Sequence, residues 1–160
     1  MRTGFGCIAG IGLFCALAAH APAAGNEPAA VLVHKSNPLD SLTAEQLRGI
    51  LLGEAGRWSG RRITIVERES TNPAFQKMLR QILRMSENDY RRALMAAEFR
   101  GESAPLIKVL NTDDGAWKFV FNVPTAIAIV NAVPVGMLPP QVKVLRIDGK
   151  LPGEPDYVLQ

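Results

Sequence analysis

The chain has 160 residues, 48% of them hydrophobic and 21% charged, and a net charge of +3 at pH 7. That is one domain of ordinary globular composition, which excludes a disordered tail and a multidomain machine. Both cysteines, Cys7 and Cys15, fall in a segment that reads as a leader. A disulfide framework, a Cys-ligated zinc and a thiol nucleophile are therefore excluded from the mature domain.

Arg2 supplies a positive n-region, and Cys7 to Ala19 form an apolar h-region too short to cross a bilayer comfortably. Ala21-Pro22-Ala23 puts small residues where a signal peptidase reads, so residues 1–23 are expected to be a cleaved signal peptide, with Ala24 as the next cut site. Neither cysteine follows the Leu-small-small pattern of a lipoprotein anchor. Cleavage leaves 137 residues with 17 basic and 15 acidic side chains, a net charge of +2. A chain of that length buries roughly two thirds of its unfolded surface, enough to fold without staples. No later segment has the roughly 18 uninterrupted apolar residues of a membrane span, so no stable membrane insertion is expected after cleavage. In a Gram-negative bacterium the destination is the periplasm.

Residues 24–30 read as a linker, overlapping an apolar run, Ala29 to His34, that suggests a buried strand and stops at the turn signal Ser36-Asn37-Pro38. Thr43 and Gln46 have the spacing of a capping box, and Leu42 and Leu47 that of a hydrophobic staple. They predict a helix over Ala44–Leu52, with Gly53 at its left-handed C-terminal position. Arg57-Trp58-Ser59-Gly60 is a loop, and the β-branched run Ile63 to Val66 a second strand. Asn72 as N-cap and Pro73 at the first helical position open another helix, whose apolar face is Phe75, Met78, Leu79, Ile82 and Leu83. Ser86-Glu87-Asn88-Asp89 caps a further helix to about Phe99, burying Tyr90, Leu94 and Ala97. Pro105–Leu110 and Asp114–Phe121 are shorter helical candidates. Ala126 to Val130 and Val142 to Ile147 read as strands, the first buried on both faces and the second on one. Residues 31–147 form the domain proper, and 148–160, with two prolines and two glycines, an extended surface tail. There is no internal repeat. Strands alternating with helices imply an α/β fold, a mixed sheet flanked by helices.

Residues 31–53 (VLVHKSNPLDSLTAEQLRGILLG), followed by Trp58, closely resemble the central segment of the periplasmic phosphate-binding proteins of ABC transporters. Arg68-Glu69-Ser70-Thr71-Asn72-Pro73-Ala74-Phe75 falls where that family has an arginine, a Ser-Gly-Thr phosphate loop and a helix bearing Phe. Thr125 to Val130 falls on its Gly-Ala-Ile-Gly-Tyr strand, and Asp148-Gly149 with Tyr157-Val158-Leu159 on its closing segment. The resemblance covers Val31 to Leu159. It implies a periplasmic-binding-protein-like fold of which only the second lobe is present, the family member being a two-lobed clamp about twice as long. It also implies a non-catalytic binding function for phosphate or another small oxyanion, without a cofactor.

The anion-site candidates are Ser70, Thr71 and Asn72 at the helix start, where unpaired N–H groups and a partial positive charge gather, with Arg68 as counter-charge. The same residues serve equally as ordinary capping groups. Pro73 removes one donor, the family's glycine is missing, and Glu67 and Glu69 repel an anion. Residues 57–92 hold nine basic and four acidic side chains. Lys77, Arg80 and Arg84 at helical spacing are expected to form a solvated face, and no motif accompanies the charge that would suggest nucleic acid. His34 lies at a strand end with no nucleophile elbow or HExxH spacing around it, and Asp113-Asp114 is expected to cap a helix. Trp58 and Trp117 are packing anchors. The sequence thus points to an exported oxyanion-binding protein of the ABC-transporter type, partnered by a permease. The alternative is an envelope protein-interaction module derived from such a lobe, without a small ligand.

Overall fold

A computed structural model describes residues 27–100, 104–132 and 135–160. The expected signal peptide, with both cysteines, and the start of the linker lie outside the described residues. Strand β1 (Ala29–His34) leads through β2 (Ser41–Leu42) into α1 (Ala44–Leu51). Then come a tight hairpin of β3 (Arg57–Trp58) and β4 (Arg61–Arg62), β5 (Thr64–Arg68), α2 (Pro73–Lys77) running on as a π-helical stretch over Met78–Leu83, and α3 (Glu87–Phe99). Strand β6 (Leu106–Leu110), α4 (Asp113–Asn122), β7 (Ala126–Asn131), β8 (Val142–Val144) and β9 (Arg146–Ile147) complete the order. No helix among the described residues is long and apolar enough to cross a membrane.

Five strands form one mixed sheet in the order β6-β5-β7-β1-β8, with β5 parallel to β6 and β7, and β1 antiparallel to β7 and β8. Side-chain alternation then builds two cores. Val31, Val33, Ile65, Ile127 and Ile129 face α1, α2, the π-helical stretch and α3. Ala30, Leu32, Val66, Ala126 and Ala128 face Ala116 and Val120 of α4. Alanines on the second face let a single helix lie close to the sheet, whereas the isoleucines on the first fill a deeper layer. This is why β1 and β7 read as continuous apolar runs: both of their faces are covered.

The α1 capping box forms as its spacing requires, Gln46 N–H donating to Thr43 Oγ1 at 3.0 Å and Thr43 N–H to Gln46 Oε1 at 2.8 Å. Gly53 has φ +87° and donates to the Ile50 carbonyl at 3.1 Å. A Cβ there would meet Pro105 Cδ at 3.2 Å and Ala97 Cβ at 3.5 Å. Gly53→Ala therefore adds a close contact to left-handed strain, and urea unfolding should show a loss of about 1–2 kcal/mol.

Four expectations need correction. Pro105–Leu110 is not a helix: Leu106 to Leu110 pair residue by residue with Thr64 to Arg68, and the β-branched Ile107 and Val109 suit that ladder. Val142 to Ile147 is broken at Leu145, which turns fully into the core while its N–H donates to the Val31 carbonyl at 2.8 Å. Residues 148–160 are not a surface tail. Tyr157 and Leu159 are 2% and 0% exposed, and the Leu159 carbonyl accepts from Ala29 N–H at 2.7 Å, tying the chain's last turn to the start of β1. Lys77 leaves the solvated face where Arg80 and Arg84 lie. It is buried, with Nζ on the Glu27 carbonyl, and burial lowers its pKa, aided by Arg80.

Candidate functional site

Strand β5 runs two residues beyond the predicted β-branched run, so Glu67 and Arg68 belong to the strand and their side chains leave opposite faces of the sheet. Loop 69–72 then crosses the sheet's end and enters α2. Asn72 Oδ1 accepts from Ala74 N–H at 2.9 Å, the expected N-cap. The loop is further braced by Gln76 Nε2, which donates to the Ser70 carbonyl at 2.7 Å.

On the α4 face Arg68 is 6% exposed. Its Nε stands 2.8 Å from Asp113 Oδ1, and its Nη1 donates to the Leu110 carbonyl at 2.6 Å. Asp113 Oδ2 also accepts from Asn131 Nδ2 at 3.0 Å. The α4 cap is Thr112, whose Oγ1 accepts from Gly115 N–H at 3.0 Å. The capping role expected of Asp113-Asp114 is thus corrected: Asp113 neutralises Arg68, and Asp114 pairs with Lys118 one turn on at 2.7 Å.

On the α3 face Glu67 is 1% exposed and takes two donors from one helix, the Tyr90 hydroxyl at Oε1 and Arg91 Nη1 at Oε2, 2.7 Å away. Burial raises the Glu67 pKa, and the Tyr90 and Arg91 bonds only partly offset it. The Tyr90 pKa is raised by its own burial and by the adjoining carboxylate. The Arg91 guanidinium also reaches Glu87 Oε1 at 3.4 Å and lies 5.4 Å from the centre of the Phe75 ring. Ser70 joins this network: its Oγ donates to Glu87 Oε1 at 2.8 Å. Thr71 is exposed at the loop's tip.

Arg68, Ser70, Thr71 and Asn72 therefore share one loop, but three of them are engaged within the protein, Arg68 by Asp113, Ser70 by Glu87 and Asn72 by the helix it caps. The sequence reading had no account of Asp113 as the partner of Arg68, or of Glu67, Tyr90 and Arg91 as one network. A buried tyrosine needs a partner for its hydroxyl, and that was the available signal. His34 lies at the end of β1, its Nδ1 2.7 Å from Ser36 Oγ in the following turn. Trp58 and Trp117 pack against the first and second core. Among the described residues no group of three or more His, Cys, Asp and Glu side chains is arranged to hold a metal ion.

No protein-family model and no curated protein matches the chain. Solved structures do share its fold. An ABC-type phosphate transport receptor of Vibrio cholerae is 21% identical, with a TM-score of 0.59 over 79% of this chain and 48% of its own. A phosphate ABC transporter substrate-binding protein of Clostridium perfringens, solved with bound phosphate, is 16% identical, with a TM-score of 0.59 over 77% and 46%. PstS of Borrelia burgdorferi is 13% identical, with a TM-score of 0.61 over 83% and 54%. The chain spans about half the length of these structures, and its α/β architecture resembles a single lobe of such binding proteins.

Proposed function

We propose that the chain is an exported, non-catalytic binding protein of the ABC-transporter substrate-binding type. Its site, Ser70, Thr71 and Asn72 with Arg68 behind them, takes phosphate or another small oxyanion in the periplasm and works with a permease. The observation that carries this is the Ser70 hydroxyl, which already donates to an anionic oxygen, the Glu87 carboxylate, in a chain whose fold resembles that of phosphate-binding proteins. Binding is then an exchange, the ligand's oxygen replacing Glu87 Oε1 on Ser70.

Thermal melts in phosphate and sulfate at fixed ionic strength test it. With ligand at a hundred times its dissociation constant, linkage gives about 2.7 kcal/mol of stabilisation, a shift of several degrees. The shift should vanish in Ser70→Ala/Thr71→Ala and grow in Glu87→Gln, which removes the competing charge. No shift with any anion, in the protein or in Glu87→Gln, sinks the proposal.

One observation favours a second reading, a protein-interaction module of the cell envelope without a small ligand. Around the loop Glu67, Glu69, Glu87 and Asp113 outnumber Arg68 and Arg91, and both arginines are already ion-paired. A surplus of carboxylates repels a free dianion, whereas a partner protein can bring cationic side chains to it.

A further inference from the structure

Strand β6 is one of the two outer strands of the five-stranded sheet. Its Leu106 N–H donates to the Ile63 carbonyl at 2.9 Å, so in the parallel ladder residues 106, 108 and 110 turn their peptide groups toward β5. The peptide N–H and C=O groups of Ile107 and Val109 therefore face away from β5, on the side where no strand among the described residues pairs with β6. The edge carries exposed apolar side chains: Leu106 and Val109 are each 47% exposed, and Met95 of α3, which shares a cleft with Leu106 and Ile107, is 53% exposed. Helix α3 and β6 share a cleft of about 420 Å³ lined by Leu94, Met95, Leu106 and Ile107 and by the charged Arg62, Arg91 and Glu98. Long apolar edges of this kind pair with other strands unless something prevents it.

Lys108 is that something, and it selects rather than forbids. It is exposed and has no ion pair among the described residues. For two copies to pair antiparallel with both outward residues engaged, Ile107 must oppose Val109. That register puts Lys108 directly across from Lys108 of the second copy, and like charges at that position oppose pairing. A strand with a carboxylate there meets no such penalty. We infer that the β6 edge is a docking site for an extended segment of another protein, added antiparallel to β6, with an Asp or Glu opposite Lys108 and apolar residues beside Met95. Main-chain bonds to Ile107 and Val109 supply affinity, and Lys108 supplies choice. This gives the protein-interaction reading a surface and a partner chemistry, and it is independent of the loop at residues 69–72.

The test uses the purified protein and two fluorescent, acetylated peptides, Thr-Val-Ile-Glu-Val-Val-Thr and the same sequence with Lys in place of Glu, read by anisotropy. The Glu peptide should bind the protein at least five-fold more tightly than the Lys peptide, and the order should invert for Lys108→Glu, a substitution at an exposed position. Val109→Pro removes an N–H that faces away from β5, so it should abolish binding of both peptides while the melting transition is kept. In sedimentation, the protein and Lys108→Glu should each be monomeric alone and pair when mixed. Failure of both peptides to bind, equal binding of the two, or an order unchanged by Lys108→Glu overturns the proposal while leaving partner binding through another face to be sought. A phosphate-dependent melt with no peptide binding would separate the two sites.

Discussion

Leu159→Ala should lower the stability of the domain by about 2–5 kcal/mol, as truncation of a fully buried leucine does, although the residue is the last but one in the chain. Tyr157→Ala should cost a similar amount. Together they approach the whole stability of an ordinary domain, so the double variant is expected to be unfolded at 37 °C by circular dichroism. Tyr157→Phe should behave oppositely. The Tyr157 hydroxyl is buried with no hydrogen-bond partner among the described residues, and its burial raises its pKa. Removing an unsatisfied hydroxyl relieves a desolvation cost of about 1 kcal/mol and should raise the melting temperature by a few degrees. If Leu159→Ala melted with the parent protein, the segment would be the surface tail that its prolines and glycines suggest.

That segment shows where local sequence stops informing. Turn chemistry at Asp148-Gly149 and Gly153 is legible, and both glycines adopt positive φ, but turn residues do not say whether the apolar positions between them reach a core. Tyr157 and Leu159 are buried because β1 begins beside them, a contact between the two ends of the domain. The same cause hid β6. Ile107 and Val109 alternate as in a strand, but so short an apolar run fits a helix as well, and pairing with β5, some forty residues earlier, decides its conformation. Where cause and effect lie within a turn or two the sequence sufficed, as at the Thr43–Gln46 box, the Asn72 cap and the buried face from Phe75 to Leu83, although Met78–Leu83 winds as a π-helix and not as the α-helix its spacing predicts.

The candidate site divides in the same way. Arg68, Ser70, Thr71 and Asn72 are neighbours in sequence and share one loop. What determines their chemistry comes from elsewhere: Glu87 from the start of α3 and Asp113 from the start of α4. A linear reading lists the donors but cannot tell whether each is already bonded. The strand's parity also matters, since extending β5 to Arg68 sends Glu67 and Arg68 to opposite faces, so Glu67 acts on α3 and not beside Arg68.

Glu67 carries the other large effect. Glu67→Ala leaves the Tyr90 hydroxyl, itself fully buried, without its acceptor and opens a small cavity, and chemical denaturation should show a loss of about 2–4 kcal/mol. Glu67→Gln keeps the size and an acceptor, and its effect should depend on pH with a defined sign. Because burial dominates, the Glu67 pKa is raised in the folded state, so the native protein holds this proton more tightly than the unfolded chain does. Between the ordinary glutamate pKa of 4.5 and the raised folded value, stability from this group therefore falls as pH rises. A glutamine has no proton to lose. Its stability relative to the parent protein should improve from pH 4 toward pH 7, and because Arg91 keeps Glu87 as a partner the substitution should cost least at neutral pH. The ion pair looks favourable only from the Arg91 end, where the pKa is raised. Burial works against that charge too, but the guanidinium is one-third exposed and loses less solvation than the wholly buried carboxylate, so the pull of Glu67 prevails. Should Glu67→Gln instead become steadily worse toward pH 7, the Arg91 bond would outweigh the burial of Glu67, and the network would be a source of stability rather than a charge held at a cost.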